Sequence, residues 1–307
     1  MKVLHRIWKF AKDHPTAVVT WVVLLGGWEL AAHFWAPEST IKNSPIIPSW
    51  EFVFTDSLKA LSGGWSFDYW APNPSRGGDE TYWGAVLALG YHALNTMWRL
   101  LLGLSIGIVA GVGTGLFLSY IPWMRQMAWT PLNLMRMFPL LAAIPLFQFW
   151  LGANLRGTTT FIAFGVWVLL VVATINAIRN VPDRYVESAR TLGASRWRTY
   201  RSIIAPAAIP ELRTGVLLSV GLSWSLTVGA EYIGMPNGLG NILSVAEFTT
   251  NTGRMIIIAV VIALCALTSF FVLNSLFDRM VSWVPSAAQA RVPQAAGAAA
   301  LGGPLGE

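Results

Sequence analysis

The chain has 307 residues, of which 54% are hydrophobic and only 12% are charged. Soluble domains carry about 25% charged residues, so this composition excludes an ordinary soluble protein and indicates one embedded in a lipid bilayer. The sixteen tryptophans agree, because Trp concentrates at membrane–water interfaces. The formal net charge of +6 does not predict a nucleic-acid partner, because the basic residues are distributed by membrane topology.

Six apolar segments are long enough to cross a bilayer core, which needs about 20 residues of helix. The first is either a signal peptide or a retained anchor, and we expect an anchor because no clean small-residue cleavage site follows it. The sequence therefore predicts an all-α membrane protein with six transmembrane helices, at residues 16–36, 87–120, 127–151, 158–178, 212–234 and 255–284.

The lysines and arginines set the predicted orientation. If both termini are cytoplasmic, the inner segments hold most of these residues and the outer loops hold few. Cytoplasmic loops of membrane proteins carry such an excess. We therefore expect an N-in, C-in topology in a cell membrane.

Two segments outside the predicted spans stand out. The outer loop 37–86 is long, acidic and rich in Trp, Pro and Gly. It is either an interfacial loop with a short amphipathic helix near 49–62 or a docking surface for an external partner. The tail 286–307 has low complexity and is predicted to be disordered. The expected division is 1–36 for the N-terminus and first transmembrane helix, 37–86 for the outer loop, 87–285 for the main membrane core and 286–307 for the tail.

The chain lacks the residues of an ATPase or a metalloenzyme. All five lysines precede residue 60 and none follows a glycine, so there is no phosphate-binding loop of the type G-x-x-x-x-G-K-[ST]. The four histidines show no metal-ligand spacing. We expect no catalytic residue, metal or cofactor in this chain.

A charged segment, 183–210, interrupts the apolar spans. It contains ESARTLGASRWRTYRSIIAPAAIP, in which Gly193 is expected to split two short helices and Pro206 and Pro210 to end the second. The composition alone fits a basic amphipathic helix on the inner leaflet. The order of its residues is more specific, because Glu187 begins the pattern E-A-A, three residues, G, nine residues, I-x-x-P, with Ser188 at the second position.

This pattern resembles the EAA loop of ABC-importer permeases. Further resemblance lies in HALNTMWRLLLG (92–103), in the Arg, Pro, Ala and Gly positions of 131–152, and in LTVGAEYIGMPNGLGNIL (226–243). Together these stretches cover about 85–283 and resemble the nitrate/sulfonate/taurine branch of binding-protein-dependent permeases.

The resemblance implies a five-helix core preceded by one N-terminal helix. It also implies two copies of a cytoplasmic ATPase that binds ATP and Mg²⁺, a second copy of this permease, and an extracytoplasmic solute-binding protein. The residues expected to couple to the ATPase are Glu187, Ser188, Ala189, Leu192, Gly193, Ala194, Arg196 and Pro206.

The implied solute is small and anionic, of the organosulfonate/taurine, nitrate or bicarbonate class. A heterocyclic precursor is the alternative within the same importer class. A stand-alone secondary transporter is a separate alternative, but the chain shows no internal repeat and no cluster of membrane acids.

Charged residues inside a membrane are costly and mark function or pairing. Arg99 and Arg136 either attract an anionic solute or form a salt bridge with Glu231. Glu231 is expected to act in a paired gate or a structural pair, and the alternative is contact with a cationic or hydrogen-bonding solute group. Glu29 is expected to be interfacial or paired. The proline-rich third span is expected either to line the pathway or to be a bent packing helix. The pathway candidates are Arg99, Asn133, Arg136, Phe147, Gln148 and Glu231.

Three glycines four residues apart, Gly103, Gly107 and Gly111, share one face of the second span. Small residues at this spacing let helices approach closely. We expect this face to be a helix interface, with a second copy of the permease as one candidate partner.

Overall fold

The computed structural model describes residues 15–34, 45–65, 70–72, 74 and 77–280. Helices and loops account for these residues, with no β-strand among them. The N-terminal residues 1–14 and the predicted disordered tail 286–307 lie outside the described residues. The chain divides into unit 1, made of Met1–Arg99, Ile144–Thr158 and Thr227–Cys265, and unit 2, made of Leu100–Ala143, Thr159–Leu226 and Ala266–Glu307.

The helices are numbered along the chain. α1 is Pro15–Phe34, and α2 is a chain of short turns at Trp50–Phe52, Val53–Ser57, Leu58–Ala60 and Leu61–Gly64. They are followed by α3 (Tyr82–Tyr120), α4 (Pro122–Met137), α5 (Ile144–Leu151), α6 (Leu155–Arg179), α7 (Asp183–Thr191), α8 (Arg196–Gly234), α9 (Leu239–Phe248) and α10 (Thr252–Met280).

Four described helices are long and apolar enough to cross a membrane, namely α3, α6, α8 and α10. A fifth crossing is made if α4 and the helical stretch Leu140–Leu151 form one broken span, since they are bent by 85° where they meet. The described parts of the six predicted spans lie on helices apart from a break in the third, but the apolar part of α1, Val18–Phe34, is shorter than the membrane-length helices. The short helix predicted near 49–62 is confirmed as α2.

The predicted third span is not one continuous helix. It breaks after Met137, where Phe138 is extended with ψ 131°. Phe138 precedes Pro139, and a residue before proline is driven out of the helical conformation by the proline ring. The chain therefore breaks fully here, between α4 and the helical stretch Leu140–Leu151.

The expectation that Pro206 and Pro210 end the second of two short helices in the charged segment is wrong. α8 runs unbroken through both prolines to Gly234. The turn Tyr200–Ile204 is π-helical, with the Ala205 N–H bonded to the Tyr200 carbonyl five residues back. This widened turn gives the Pro206 ring room that a regular α-helix would deny it.

In unit 2, the glycine face of α3 packs tightly on α6. A Cβ added at Gly103 would lie 2.6 Å from Ile162 Cβ, and one added at Gly107 would lie 2.6 Å from Val166 Cβ. Only residues without a side chain fit at such distances. The predicted helix interface is confirmed, but its partner is α6 of the same chain, so the alternative of a second copy is wrong for this face.

In unit 1, the segment after α1 is fastened to the helices. The Glu29 carboxylate accepts a hydrogen bond from the Trp50 N–H at 2.9 Å, and the Trp28 indole N–H donates to the Pro48 carbonyl at 2.9 Å. Further along, Trp65 packs with Ala88 of α3 in a small apolar cluster. Glu29, which was expected to be interfacial or paired, is thus hydrogen-bonded to a backbone N–H.

Candidate functional site

The charged segment forms a helix and a tight glycine turn in unit 2. α7 ends at Thr191, and two residues later Gly193 has φ +75°, a left-handed conformation that disfavours residues with a Cβ. The Gly193 N–H bonds to the Arg190 carbonyl at 2.9 Å, and the Ala194 N–H bonds to the Ala189 carbonyl at 3.0 Å. These two bonds are a Schellman motif, which satisfies the last carbonyls of the helix. The predicted break at Gly193 is confirmed.

The tip of this turn presents an apolar side chain to solvent. Leu192 is 87% exposed, while Ala189 is buried against the protein. Glu187 and Ser188 are exposed on α7.

The start of α8 is held firmly on the end of α3. The Tyr200 hydroxyl donates to the Leu116 carbonyl at 2.6 Å, and the Arg196 guanidinium donates to the Tyr120 carbonyl at 3.1 Å. The rings of Tyr120, Trp197 and Tyr200 also pack against one another. These contacts hold the turn between α7 and α8 against α3. Pro206 lies half-buried inside α8.

A buried ion pair lies in unit 1. Arg99 donates to Glu231 Oε1 at 2.6 Å, with Arg99 5% and Glu231 0% exposed. The guanidinium also donates to the Asn237 carbonyl at 2.8 Å and to the Asn237 side-chain oxygen. The predicted pairing of Arg99 with Glu231 is confirmed.

The carboxylate of Glu231 is satisfied on its other side as well. The Thr96 hydroxyl lies 2.8 Å from Oε2, and the Gly240 N–H donates to the same oxygen at 3.1 Å. A buried ion pair persists only when further hydrogen bonds satisfy its remaining atoms, and these bonds do so. The pair fixes the turn between α8 and α9 against α3.

His92 extends this network, and sequence reasoning did not assign it a role. Its Nδ1 accepts from the Gly238 N–H at 2.9 Å, so Nε2 carries the ring proton and donates to the Gly64 carbonyl at 3.3 Å. The spacing of His92, Thr96 and Arg99 on one helical face was the available signal.

The remaining pathway candidates divide between the units. In unit 1, Gln148 donates to the Ala230 carbonyl at 2.9 Å, and half-buried Phe147 packs against Trp150. In unit 2, Asn133 donates to a carbonyl of its own helix, and Arg136 is exposed with no ion pair to any described residue. The structure thus brings together Arg99 and Glu231, with Gln148 bonded to the residue beside Glu231.

Within the described ranges, no group of three or more His, Cys, Asp or Glu side chains is placed to hold a metal ion. In unit 1, the side chains of Arg99, Thr96 and His92 form hydrogen bonds to Glu231 or to the backbone of the turn after α8. These bonds hold helices and turns together.

An all-helical chain with several membrane-length helices and an exposed polar turn between two of them defines a polytopic membrane protein. The chain belongs to the family of binding-protein-dependent transport system inner membrane components, whose sequence profile matches residues 103–284. It is therefore a multi-pass inner-membrane permease of an ABC importer.

Several characterised or named permeases are similar to it. The taurine transport permease TauC of Escherichia coli K12 is 24% identical over 276 residues, which are 90% of this chain and 92% of TauC. The riboflavin transport permease RibX of Chloroflexus aurantiacus is 29% identical over 67% of this chain and 77% of RibX. The putative aliphatic sulfonates permease SsuC of E. coli K12 is 30% identical over 67% of this chain and 78% of SsuC.

Solved structures share the fold. An inward-facing structure of the MetNI methionine ABC transporter aligns with a TM-score of 0.53 at 20% identity, over 64% of this chain and 96% of that chain. An amino acid ABC transporter crystallised with histidines aligns with a TM-score of 0.53 at 20% identity, over 63% and 94%.

Proposed function

We propose that this chain is the transmembrane subunit of an ATP-driven importer for a small anionic solute of the organosulfonate or taurine class. The support is the similarity to permeases named for taurine and for aliphatic sulfonates. Nitrate and bicarbonate belong to the same proposed class of small anions. A heterocyclic solute is the second candidate, favoured by the similarity to a riboflavin permease.

The proposed topology has six transmembrane helices with both termini in the cytoplasm. α1 is the N-terminal helix, and α3 to α10 supply the five-helix core within 87–285. α3 begins at Tyr82, so the core begins inside the segment 37–86 assigned from sequence to the outer loop. The distribution of lysine and arginine supports this orientation.

The observation that carries the proposed mechanism is the exposed turn that ends α7. We propose that the segment 183–210 docks in a groove of a cytoplasmic ATPase, with Leu192 entering the groove and Glu187 meeting a basic group at its edge. The Gly193 turn and the hydrogen bonds at the start of α8 would keep the docked segment rigid. Each of two permease copies would bind one ATPase, and the ATPases would bind ATP and Mg²⁺.

We propose that an extracytoplasmic solute-binding protein delivers the solute to the outer side, where the long loop offers a docking surface. We propose that the solute pathway is lined by the six candidates Arg99, Asn133, Arg136, Phe147, Gln148 and Glu231. Complete burial of the Arg99–Glu231 pair favours a structural role for these two residues. Exposed Arg136 is the better candidate for attracting an anion.

The experiment that tests the solute class is ATP hydrolysis in proteoliposomes. They would contain this chain with the ATPase and the binding protein encoded beside it, and receive taurine, alkanesulfonates, nitrate, bicarbonate and riboflavin in turn. We expect stimulation by a sulfonate-loaded binding protein. Stimulation by riboflavin alone would establish the heterocyclic alternative, and hydrolysis independent of any binding protein would contradict the mechanism.

The coupling assignment is tested by Glu187→Lys and by Gly193→Trp. We expect each to weaken retention of the ATPase by at least about tenfold, because the first reverses an interfacial charge and the second strains the left-handed turn. Glu247→Lys is the matched control, since it reverses an exposed acid on α9. Normal co-purification of the ATPase with both coupling variants would refute the assignment.

A further inference from the structure

A basic cavity lies in unit 2 beside the start of α7 and α8. Its volume is about 450 Å³. Four arginines, one aspartate and the buried serine Ser119 are among the residues that line it, the charged ones being Arg125, Arg179, Arg190, Arg196 and Asp183. The lining therefore carries an excess of three positive charges.

The arginines of this cavity lack neutralising partners in the described part of the chain. The ion pairs found there join Arg99 to Glu231 and Arg213 to Asp278, and none involves the cavity arginines. Two of the four are oriented by other contacts: Arg179 stacks over Trp129 at 5.7 Å, and Arg196 lies over the Tyr120 ring at 5.3 Å. Clustered and preoriented guanidinium groups are a binding site for an oxyanion.

Ser119 gives independent evidence for a ligand. It is 8% exposed, lines the cavity, and its hydroxyl has no hydrogen-bond partner among the described residues. A serine inside a helix ordinarily bonds a carbonyl of the preceding turn. A buried hydroxyl left without a partner is costly, and an acceptor oxygen in the cavity would satisfy it.

We propose that this cavity binds a phosphate group, with the arginines neutralising it and the Ser119 hydroxyl donating a hydrogen bond to one of its oxygens. A lipid headgroup and free phosphate share this chemistry. The cavity lies at the ends of α3 and α6, two membrane-length helices, where lipid phosphates are found. A second cavity of about 310 Å³ shares Arg125 and Arg179 and is also lined by Trp129, which leaves room for the rest of a headgroup.

The test uses the full chain in phosphatidylcholine nanodiscs without an ATPase, so it is independent of the coupling proposal. One arm titrates inorganic phosphate. The other arm adds phosphatidylglycerol and counts the retained lipids by native mass spectrometry. Retained phosphatidylglycerol that phosphate does not displace identifies a lipid site, and saturable phosphate binding that displaces the lipid identifies a free-anion site; either result supports the cavity.

Variants locate the site. We expect Arg125→Gln/Arg179→Gln to weaken binding at least about tenfold and Ser119→Ala to weaken it about three- to tenfold, since the first removes charged donors and the second a neutral one. Arg201→Gln is the matched control, because it removes an exposed arginine that lines neither cavity. Binding of neither probe, an equal loss in Arg201→Gln, or an unchanged affinity in Ser119→Ala would overturn the proposal.

Discussion

Replacing Arg99 by methionine should strongly destabilise unit 1. The substitution keeps most of the apolar volume but leaves the Glu231 carboxylate buried without its cation. It also removes the donor to the Asn237 carbonyl. Breaking a buried ion pair from one side costs about 3–5 kcal/mol, mainly because of the unpaired charge that remains.

The single cysteine of the chain provides the assay. Cys265 lies in α10, in the same unit as the ion pair, and is half-buried. A fluorogenic maleimide would report its exposure on heating. At about 2–4 °C per kcal/mol, the expected loss corresponds to a fall of about 6–20 °C in the midpoint.

A second substitution separates charge from packing. Adding Glu231→Gln to Arg99→Met removes the unpaired charge, while the glutamine oxygen still accepts from Thr96 and Gly240. We therefore expect the double variant to regain much of the lost stability. A midpoint for Arg99→Met equal to that of Arg201→Gln, or a double variant no more stable than Arg99→Met, would refute this account of the pair.

The remaining predictions concern packing and the outer segment. Gly107→Ala should lower the free energy of unfolding by about 1–3 kcal/mol, because the new Cβ would lie 2.6 Å from Val166 Cβ. The control is Gly113→Ala, whose new Cβ would meet nothing within 4 Å, and it should be stabilising in the same thiol assay. Glu29→Leu should cost about 1–3 kcal/mol and speed amide exchange at Trp50, because that N–H loses its acceptor, whereas Glu29→Gln keeps one. Equal exchange in the two Glu29 variants would contradict the role of the carboxylate.

The sequence predicted the positions of the helices well because those positions depend on local composition. A run of apolar residues must satisfy its backbone internally in a membrane, and a helix does so without any partner. The turn at Gly193 was predictable for the same reason, since glycine adopts the positive φ found there at little steric cost. Local chemistry alone decides both features.

The errors arose where a local rule was overridden by neighbouring turns. Proline disfavours a helix, yet one π-helical turn before Pro206 lets α8 continue. The same residue type produced a complete break before Pro139, where no such turn precedes it. Sequence alone does not decide between these outcomes, because both satisfy the proline ring.

Partners distant in sequence were the second source of uncertainty. The cost of burying Arg99 and Glu231 predicts that each needs an opposite charge, but Arg136 was an equally acceptable partner for Glu231 on that argument. The structure selects Arg99, which is 132 residues away in sequence. The glycine face of α3 posed the same problem, since close packing was predictable and the identity of the facing helix was not.

The ion pair between Arg99 and Glu231 bears on whether charged residues in the spans select the solute. A lone arginine in a transport pathway would favour anions, but Arg99 is neutralised by Glu231 and sealed from solvent. We therefore expect its charge to give no preference to a passing solute, so that replacing both partners by neutral residues leaves solute selectivity unchanged even if stability falls. Arg136 is exposed and unpaired among the described residues, so a charge-based preference within this chain should depend on that residue. If Arg136→Gln leaves the relative uptake of taurine and a neutral solute unchanged, this expectation is wrong, and the solute-binding protein selects the solute.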